Sequence, residues 1–190
     1  ANTTFDTPSL PSPEAAAPRS GDLPAPDAGL PSSNQEVNSQ PAMMGAGELL
    51  TVTTDVFEVE IDPIGGTVVS ARLLDYPVEF DVPGIKVDLF NKNVPELFIA
   101  QSGLLSRSAA PNHTSTYQTD TMSYSLGETA DEIRVPLTWT DGNGIKVTKT
   151  LIFKRGKYDI TVRHTLSNQS GQTWSGSRYD QLQRSIIADR

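Results

Sequence analysis

A pattern of alternating apolar and polar residues, repeated three times between residues 132 and 168, constrains the fold of this chain more than any other feature. A period of two is typical of β-strands with one buried face, because successive strand side chains point to opposite sides of a sheet. Two turn signals separate the runs, Asp141-Gly142-Asn143-Gly144 and Lys154-Arg155-Gly156-Lys157. The pattern predicts a three-stranded antiparallel meander, in which Pro136 indicates an edge strand or a bulge. The predicted inward residues are Ile133, Val135, Leu137, Trp139, Ile145, Val147, Leu151, Phe153, Tyr158, Ile160, Val162, His164 and Leu166.

A second region with the same period precedes the meander. Phe57, Val59 and Ile61 alternate with acidic residues, and a turn containing Gly65 and Gly66 leads into a second run. This pair of runs predicts a β-hairpin over residues 57–74. Weaker strand signals occupy 85–90, 97–101, 121–126 and 177–187, and the segments 92–97 and 103–110 have room for no more than a helical turn. Successive antiparallel runs at this spacing predict an all-β sandwich or a large twisted sheet.

Residues 1–47 have a different composition, with eight of the 14 prolines and only scattered apolar residues. Such a segment buries too little apolar surface to offset its chain entropy, so we expect a disordered tether. A flexible coil of this length has an r.m.s. span of roughly 35–40 Å. We place the folded domain at 48–190. Because its last strand-like run continues to Arg190 without a closing turn, we expect the domain to be part of a larger one.

Composition excludes several classes of function. The formal net charge of −8 opposes binding to nucleic acids and to anionic lipid surfaces. The sequence has no cysteine, which excludes disulfides, thiol catalysis and cysteine-based metal sites. No stretch approaches the roughly 18 consecutive apolar residues of a membrane-spanning helix. The dinucleotide-binding fingerprint, the P-loop, the zinc-protease motif, the EF-hand loop and the hydrolase nucleophile elbow are also absent.

Three weaker sets of residues remain as candidate sites. The row Glu58, Glu60 and Asp62 lies on one strand face and offers carboxylates for acid–base work or calcium, although a solvated outer face is the simpler interpretation. His164 lies on an apolar strand face, where a hydrogen-bonded core histidine is the simpler interpretation and a general base the alternative. The third set contains polar and aromatic residues that line either a sugar or peptide cleft or an exposed strand face. Its members are Trp174, Arg178, Tyr179, Gln181, Gln183 and Arg184.

Four segments, in this order along the chain, resemble a known family. They are residues 54–61 leading through Gly65-Gly66 to residues 73–77, residues 98–104, residues 135–141 continuing through Lys149-Thr150 to residues 154–158, and residues 181–186. Together they resemble the large periplasmic domain of the YidC family of bacterial inner-membrane protein insertases. The proline-rich first segment is similar to the linker that joins this domain to a transmembrane helix in the family.

The resemblance implies an antiparallel β-supersandwich, similar to galactose mutarotase-like domains, on the periplasmic side of the inner membrane of a Gram-negative bacterium. It also implies a non-catalytic accessory and interaction domain that needs no cofactor and no metal. Its partners would be Sec translocon components (SecDF and SecYEG) and nascent membrane proteins, reached through a parent protein whose transmembrane helices flank this domain. The alternative is a carbohydrate-binding or mutarotase-like β-sandwich, which would need a positioned acid and base.

Overall fold

The computed structural model describes residues 48–79 and 82–185. The predicted tether at 1–47 and the last five residues lie outside the described residues. The described residues form ten β-strands and no helix, which confirms the predicted all-β class. The strands are β1 (Leu50–Thr53), β2 (Phe57–Asp62), β3 (Thr67–Glu79), β4 (Val82–Asp88), β5 (Phe98–Ser106), β6 (Ser123–Ser125), β7 (Glu132–Thr140), β8 (Ile145–Lys154), β9 (Ile160–Asn168) and β10 (Gly176–Arg184).

Seven strands form the larger sheet, in the order β10-β5-β3-β2-β1-β6, with β4 paired to β3 outside this path. The long strand β3 makes this branching possible. Its first half pairs with β2 and touches β5 through Val68 and Ala100, while its second half pairs with β4. All pairs are antiparallel except β1 with β6. The larger sheet is therefore mixed, but only at its short β6 edge.

The smaller sheet is the predicted meander, in the order β7-β8-β9. Its register runs without a break from Glu132 opposite Lys154 to Thr140 opposite Lys146, and from Ile145 opposite Asn168 to Phe153 opposite Ile160. On its outer side β7 makes one isolated bridge, between Gln118 and Thr138, so Pro136 lies on an edge strand as predicted.

The core lies between the two sheets, and each sheet contributes one face to it. From the larger sheet, Val52, Phe57 and Val59 are buried, and from the smaller sheet Leu137 and Leu151 meet them in the same cluster. Each fully buried aliphatic or aromatic side chain contributes roughly 1.5–3 kcal/mol. The alternating residues of β2 and β7–β9 thus supply the inward faces of a β-sandwich.

Three details of the sequence-based prediction were wrong. The strand β1 was not predicted, because four residues are too few for a periodic signal, yet Leu50 and Val52 are fully buried. The segment 103–110, which had room for a helical turn, instead begins with the end of β5, which was predicted only to residue 101 and continues to Ser106. Tyr158 precedes β9 rather than belonging to it, and its ring packs against those of Phe57 and Tyr76.

The turn between β2 and β3 needs glycine for two separate reasons. Gly65 and Gly66 have φ values of 73° and 58°, which L-residues with a side chain rarely adopt. A Cβ at Gly65 would also overlap the backbone carbonyl of His113. The other predicted turns have the expected left-handed glycines, and the Asp141 carboxylate accepts hydrogen bonds from two backbone amides of its turn, those of Asn143 and Ile145. These left-handed turn glycines are Gly142, Gly144 and Gly156.

We expect Gly142→Ala to lower the free energy of unfolding by about 1–2 kcal/mol, the cost of a left-handed backbone alone. Gly142 is the matched control, because no atom lies within 4 Å of a Cβ built there. Gly65→Ala should cost about 1–3 kcal/mol more, because the overlapping atoms of His113 belong to the backbone and have little freedom to move. Urea unfolding of both variants measures the difference, and equal losses would contradict the close packing of this turn.

Candidate functional site

A cleft of about 380 Å³ opens between β9 of the smaller sheet and β10 of the larger sheet. Much of its lining is apolar and comes from both sides, with Ile160 and Val162 on β9, Tyr158 just before β9 and Leu182 on β10. Lys149 and Ser102 contribute polar atoms to the same space. The cleft therefore combines an apolar wall with a small number of polar groups, which is the usual composition of a binding site.

Lys149 is the least expected residue of this cleft, because its side chain is only 1% exposed. It takes an inward position on β8, between Leu137 on β7 and His164 on β9. Its ammonium donates hydrogen bonds to the carbonyl oxygens of Gly65 at 2.7 Å, Gly66 at 2.9 Å and Ser102 at 3.3 Å. These three acceptors use all three of its donors, so the buried charge is fully hydrogen-bonded.

The ammonium of Lys149 has carbonyl oxygens as partners rather than a carboxylate. Burial lowers its pKa from 10.5 to about 8, while the charge of Asp180 opposes this shift and that of Arg178 adds to it. Carbonyl dipoles stabilise a cation less than a paired anion does, so desolvation dominates. Lys149 therefore holds its proton in the folded protein less tightly than an exposed lysine.

His164 and Tyr117 are the other buried titratable groups near Lys149. His164 is on the inward face, as predicted, but the expected hydrogen bond is absent, because neither ring nitrogen has a partner among the described residues. Burial, followed by the nearby charge of Lys149, lowers its pKa to about 4. The ring of Tyr117 lies 6.0 Å from the Lys149 ammonium, and burial raises the pKa of its hydroxyl. His164 is therefore neutral near pH 7 and has no carboxylate bonded to it.

Two of the residues predicted for a cleft lie at this one. Gln181 lines it and donates a hydrogen bond from its amide to the side-chain oxygen of Gln101 at 2.6 Å. Arg178 connects the two sides of the opening. It donates a hydrogen bond to the carbonyl oxygen of Val162 on β9 at 2.7 Å and pairs with Asp180 at 2.6 Å.

The other predicted residues lie elsewhere in the sandwich. Trp174 packs beside the Leu104, Ile145 and Val147 cluster and donates its ring N–H to the carbonyl of Ala109. The Tyr179 hydroxyl accepts a hydrogen bond from the backbone amide of His113. Trp174 precedes β10, and the Tyr179 hydroxyl reaches the backbone of His113, so neither side chain lines the cleft. Gln183 is exposed, and Arg184 lines a separate cavity of about 280 Å³.

The carboxylate row on β2 does not form a site in the described structure. Glu58 pairs with Arg72 at 3.3 Å, and the row alternates with buried Phe57, Val59 and Ile61. Within residues 48–79 and 82–185, no group of three or more His, Asp or Glu side chains is arranged to hold a metal ion. The same residues include no helix long and apolar enough to cross a membrane.

We expect Lys149→Met to remove a pH dependence of stability that the wild-type protein has between pH 8 and 10.5. The pKa of Lys149 is lower in the folded state than in the unfolded state, so the unfolded state binds more protons between pH 8 and 10.5. The free energy of unfolding of the wild-type protein therefore falls as the pH falls from 10.5 to 8. The shift corresponds to about 3 kcal/mol. Chemical unfolding across this range measures the slope for wild type and variant.

Lys146→Met is the matched control, because Lys146 lies on the same strand and is exposed. Other groups that titrate in this range act equally on all three proteins, so only the difference in slope matters. A Lys149→Met protein that keeps the wild-type slope would contradict the desolvated environment of Lys149.

Comparison with known proteins agrees with the resemblance noted in the sequence. The insertase YidC of Methylococcus capsulatus is 38% identical over 175 residues, which cover 90% of this chain and 31% of that protein. The corresponding values are 37% over 169 residues for Pseudomonas putida, covering 85% and 30%, and 38% over 160 residues for Azotobacter vinelandii, covering 83% and 28%. All three carry the name membrane protein insertase YidC, and the chain spans about a third of the length of these curated relatives.

The match to a family profile covers most of the chain. The profile described as the YidC periplasmic domain matches residues 49–190, which include all ten strands. The chain therefore belongs to the family of YidC periplasmic domains, on the periplasmic side of the bacterial inner membrane.

Proposed function

We propose that this domain is a non-catalytic accessory and interaction domain of a membrane protein insertase. Through it, the parent protein would contact Sec translocon components (SecDF and SecYEG) and nascent membrane proteins during insertion and folding. The observation that carries this proposal is the family match over residues 49–190, together with relatives that are named insertases. No cofactor is needed for such a role.

The edge strands β9 and β10, which border the cleft, support an interaction role. In the described part of the chain, β9 pairs only with β8 and β10 pairs only with β5. The outer edge of such a strand offers unpaired backbone N–H and C=O groups, which accept an added strand from a partner. The Val162 carbonyl on β9 accepts a bond from Arg178, so this edge turns its acceptors toward the cleft.

The groups in the cleft favour this role over carbohydrate chemistry. Sugar interconversion needs an acid and a base placed on either side of a substrate. Among the residues that the structure describes, no carboxylate is bonded to His164, and Asp180 is paired with Arg178. Leu182 at the rim is 66% exposed, and apolar surface of this kind suits a polypeptide segment. Calorimetric titration with sugars separates the two functions, and millimolar or tighter binding would favour the carbohydrate alternative.

We expect a photoreactive amino acid at position 182 of the full-length parent protein to form adducts in cells with a Sec subunit or a nascent membrane protein. Position 94 is the matched control, because Val94 is 82% exposed and does not line the cleft. Immunoblotting and mass spectrometry identify the adducts. Adducts with these proteins that are no more frequent from position 182 than from position 94 would contradict the proposal.

A further inference from the structure

The outer face of the smaller sheet differs in charge from the chain as a whole. It consists of the residues that alternate with the buried rows of β7, β8 and β9, and we call it the β7–β9 outer face. Its members are Glu132, Arg134, Pro136, Thr138, Thr140, Lys146, Thr148, Thr150, Ile152, Lys154, Thr161, Arg163, Thr165 and Ser167. Four of these residues are basic and one is acidic, whereas the whole chain has a net charge of −8.

Three of the four cations on this face are unpaired within the described residues. Arg134 forms an ion pair with Glu132 at 2.6 Å. Lys146, Lys154 and Arg163 are exposed and have no ion pair among the residues that the structure describes. They are distributed over two strands and both ends of the sheet, with seven threonine and serine side chains around them.

The β7–β9 outer face lacks the anchors of a protein–protein interface. Such interfaces depend on large apolar or aromatic side chains that fill pockets on the partner. On this face Ile152 is the one large apolar residue, and it is only 4% exposed. A flat array of cations and hydroxyl groups instead matches a layer of phosphate groups, which accept charge-assisted hydrogen bonds.

We propose that the β7–β9 outer face docks the domain onto anionic phospholipid headgroups of the adjacent membrane. Three strands spaced about 4.8 Å apart, each about 30 Å long, provide a flat contact area. The overall negative charge predicts repulsion from anionic lipids, but the fold turns one cationic face toward them while other surfaces carry the acidic excess. At short range the local charge decides, because salt screens more distant charges beyond about 8–10 Å.

Acidic groups at the ends of the sheet restrict how the face can lie on a membrane. Asp131 and Asp159 border the end that carries Lys154, where Arg155 and Lys157 offset them, and Asp141 lies in the turn at the other end. The face itself therefore approaches headgroups most favourably when the sheet lies parallel to the membrane. In this orientation the cleft between β9 and β10 stays open at the side.

The test is flotation of the full 190-residue chain with phosphatidylcholine vesicles that contain or lack phosphatidylglycerol. We expect binding only to the anionic vesicles at about 0.15 M salt, where the Debye length is about 8 Å, and a steep loss as the salt is raised toward about 1 M. The triple variant Lys146→Gln, Lys154→Gln and Arg163→Gln should bind about a hundredfold more weakly, at about fivefold for each charge removed. Thermal unfolding confirms that the variant stays folded.

The matched control is the triple variant Lys86→Gln, Lys92→Gln and Arg107→Gln. It changes the net charge by the same amount, on or beside the larger sheet. We expect it to keep most of the vesicle binding. Equal losses in the two variants, or no binding to anionic vesicles at about 0.15 M salt, would overturn the proposal. Binding of an acidic protein partner to this face, without binding to the vesicles, would also overturn the proposal. None of these outcomes bears on the crosslinks expected from position 182.

Discussion

The constraint to which the two sheets are fitted is the burial of the Lys149 ammonium, which must find hydrogen-bond acceptors and finds three backbone carbonyls. Lys149 extends from the central strand of the smaller sheet, and its acceptors belong to the β2–β3 turn and to β5 of the larger sheet. Hydrophobic burial is non-directional, so it brings two sheets together without fixing their relative position. A fully bonded cation between them adds a directional requirement. The left-handed glycines of the turn suit this requirement, since both carbonyls point inward where a side chain has no room. The backbone of His113 fills that space at Gly65, and the side chains of Leu137 and Lys149 fill it at Gly66.

The same arrangement explains the cleft and its polarity. Lys149 brings a charge into the space between β9 and β10, and this charge helps to lower the pKa of the neighbouring His164. His164 stays neutral, while Asp180 holds Arg178 beside the edge of β9. The cleft wall beyond these groups is apolar and partly exposed at Leu182 and Tyr158. The opening thus has a fixed polar end and an adaptable apolar end, which fits contact with a polypeptide better than reaction chemistry at a sugar.

Much of this fold was predictable, because a period of two reports directly on strands with one buried face. The meander, the β2–β3 hairpin and the left-handed turn glycines were predicted from local sequence and are present. Long-range contacts were not predictable in this way. The buried row of β8 reads Ile145, Val147, Lys149, Leu151 and Phe153, and the lysine in its middle was a visible signal that the prediction passed over. The hydrogen bonds of this lysine could not be predicted locally, because the carbonyls that it binds lie more than 45 residues away in the sequence. The cationic outer face was likewise not predicted, because the net charge is a sum over the chain and does not show where the charges lie on the surface.

The most direct test of the central claim is the titration of individual lysines by nuclear magnetic resonance, with the side-chain carbon next to each amine as the reporter. Lys149 should titrate near pH 8, because its ammonium is desolvated and bonded only to carbonyls. A Lys149 signal that titrates at the ordinary lysine value of 10.5 would show that its ammonium reaches water, and would contradict a buried cation joining the two sheets.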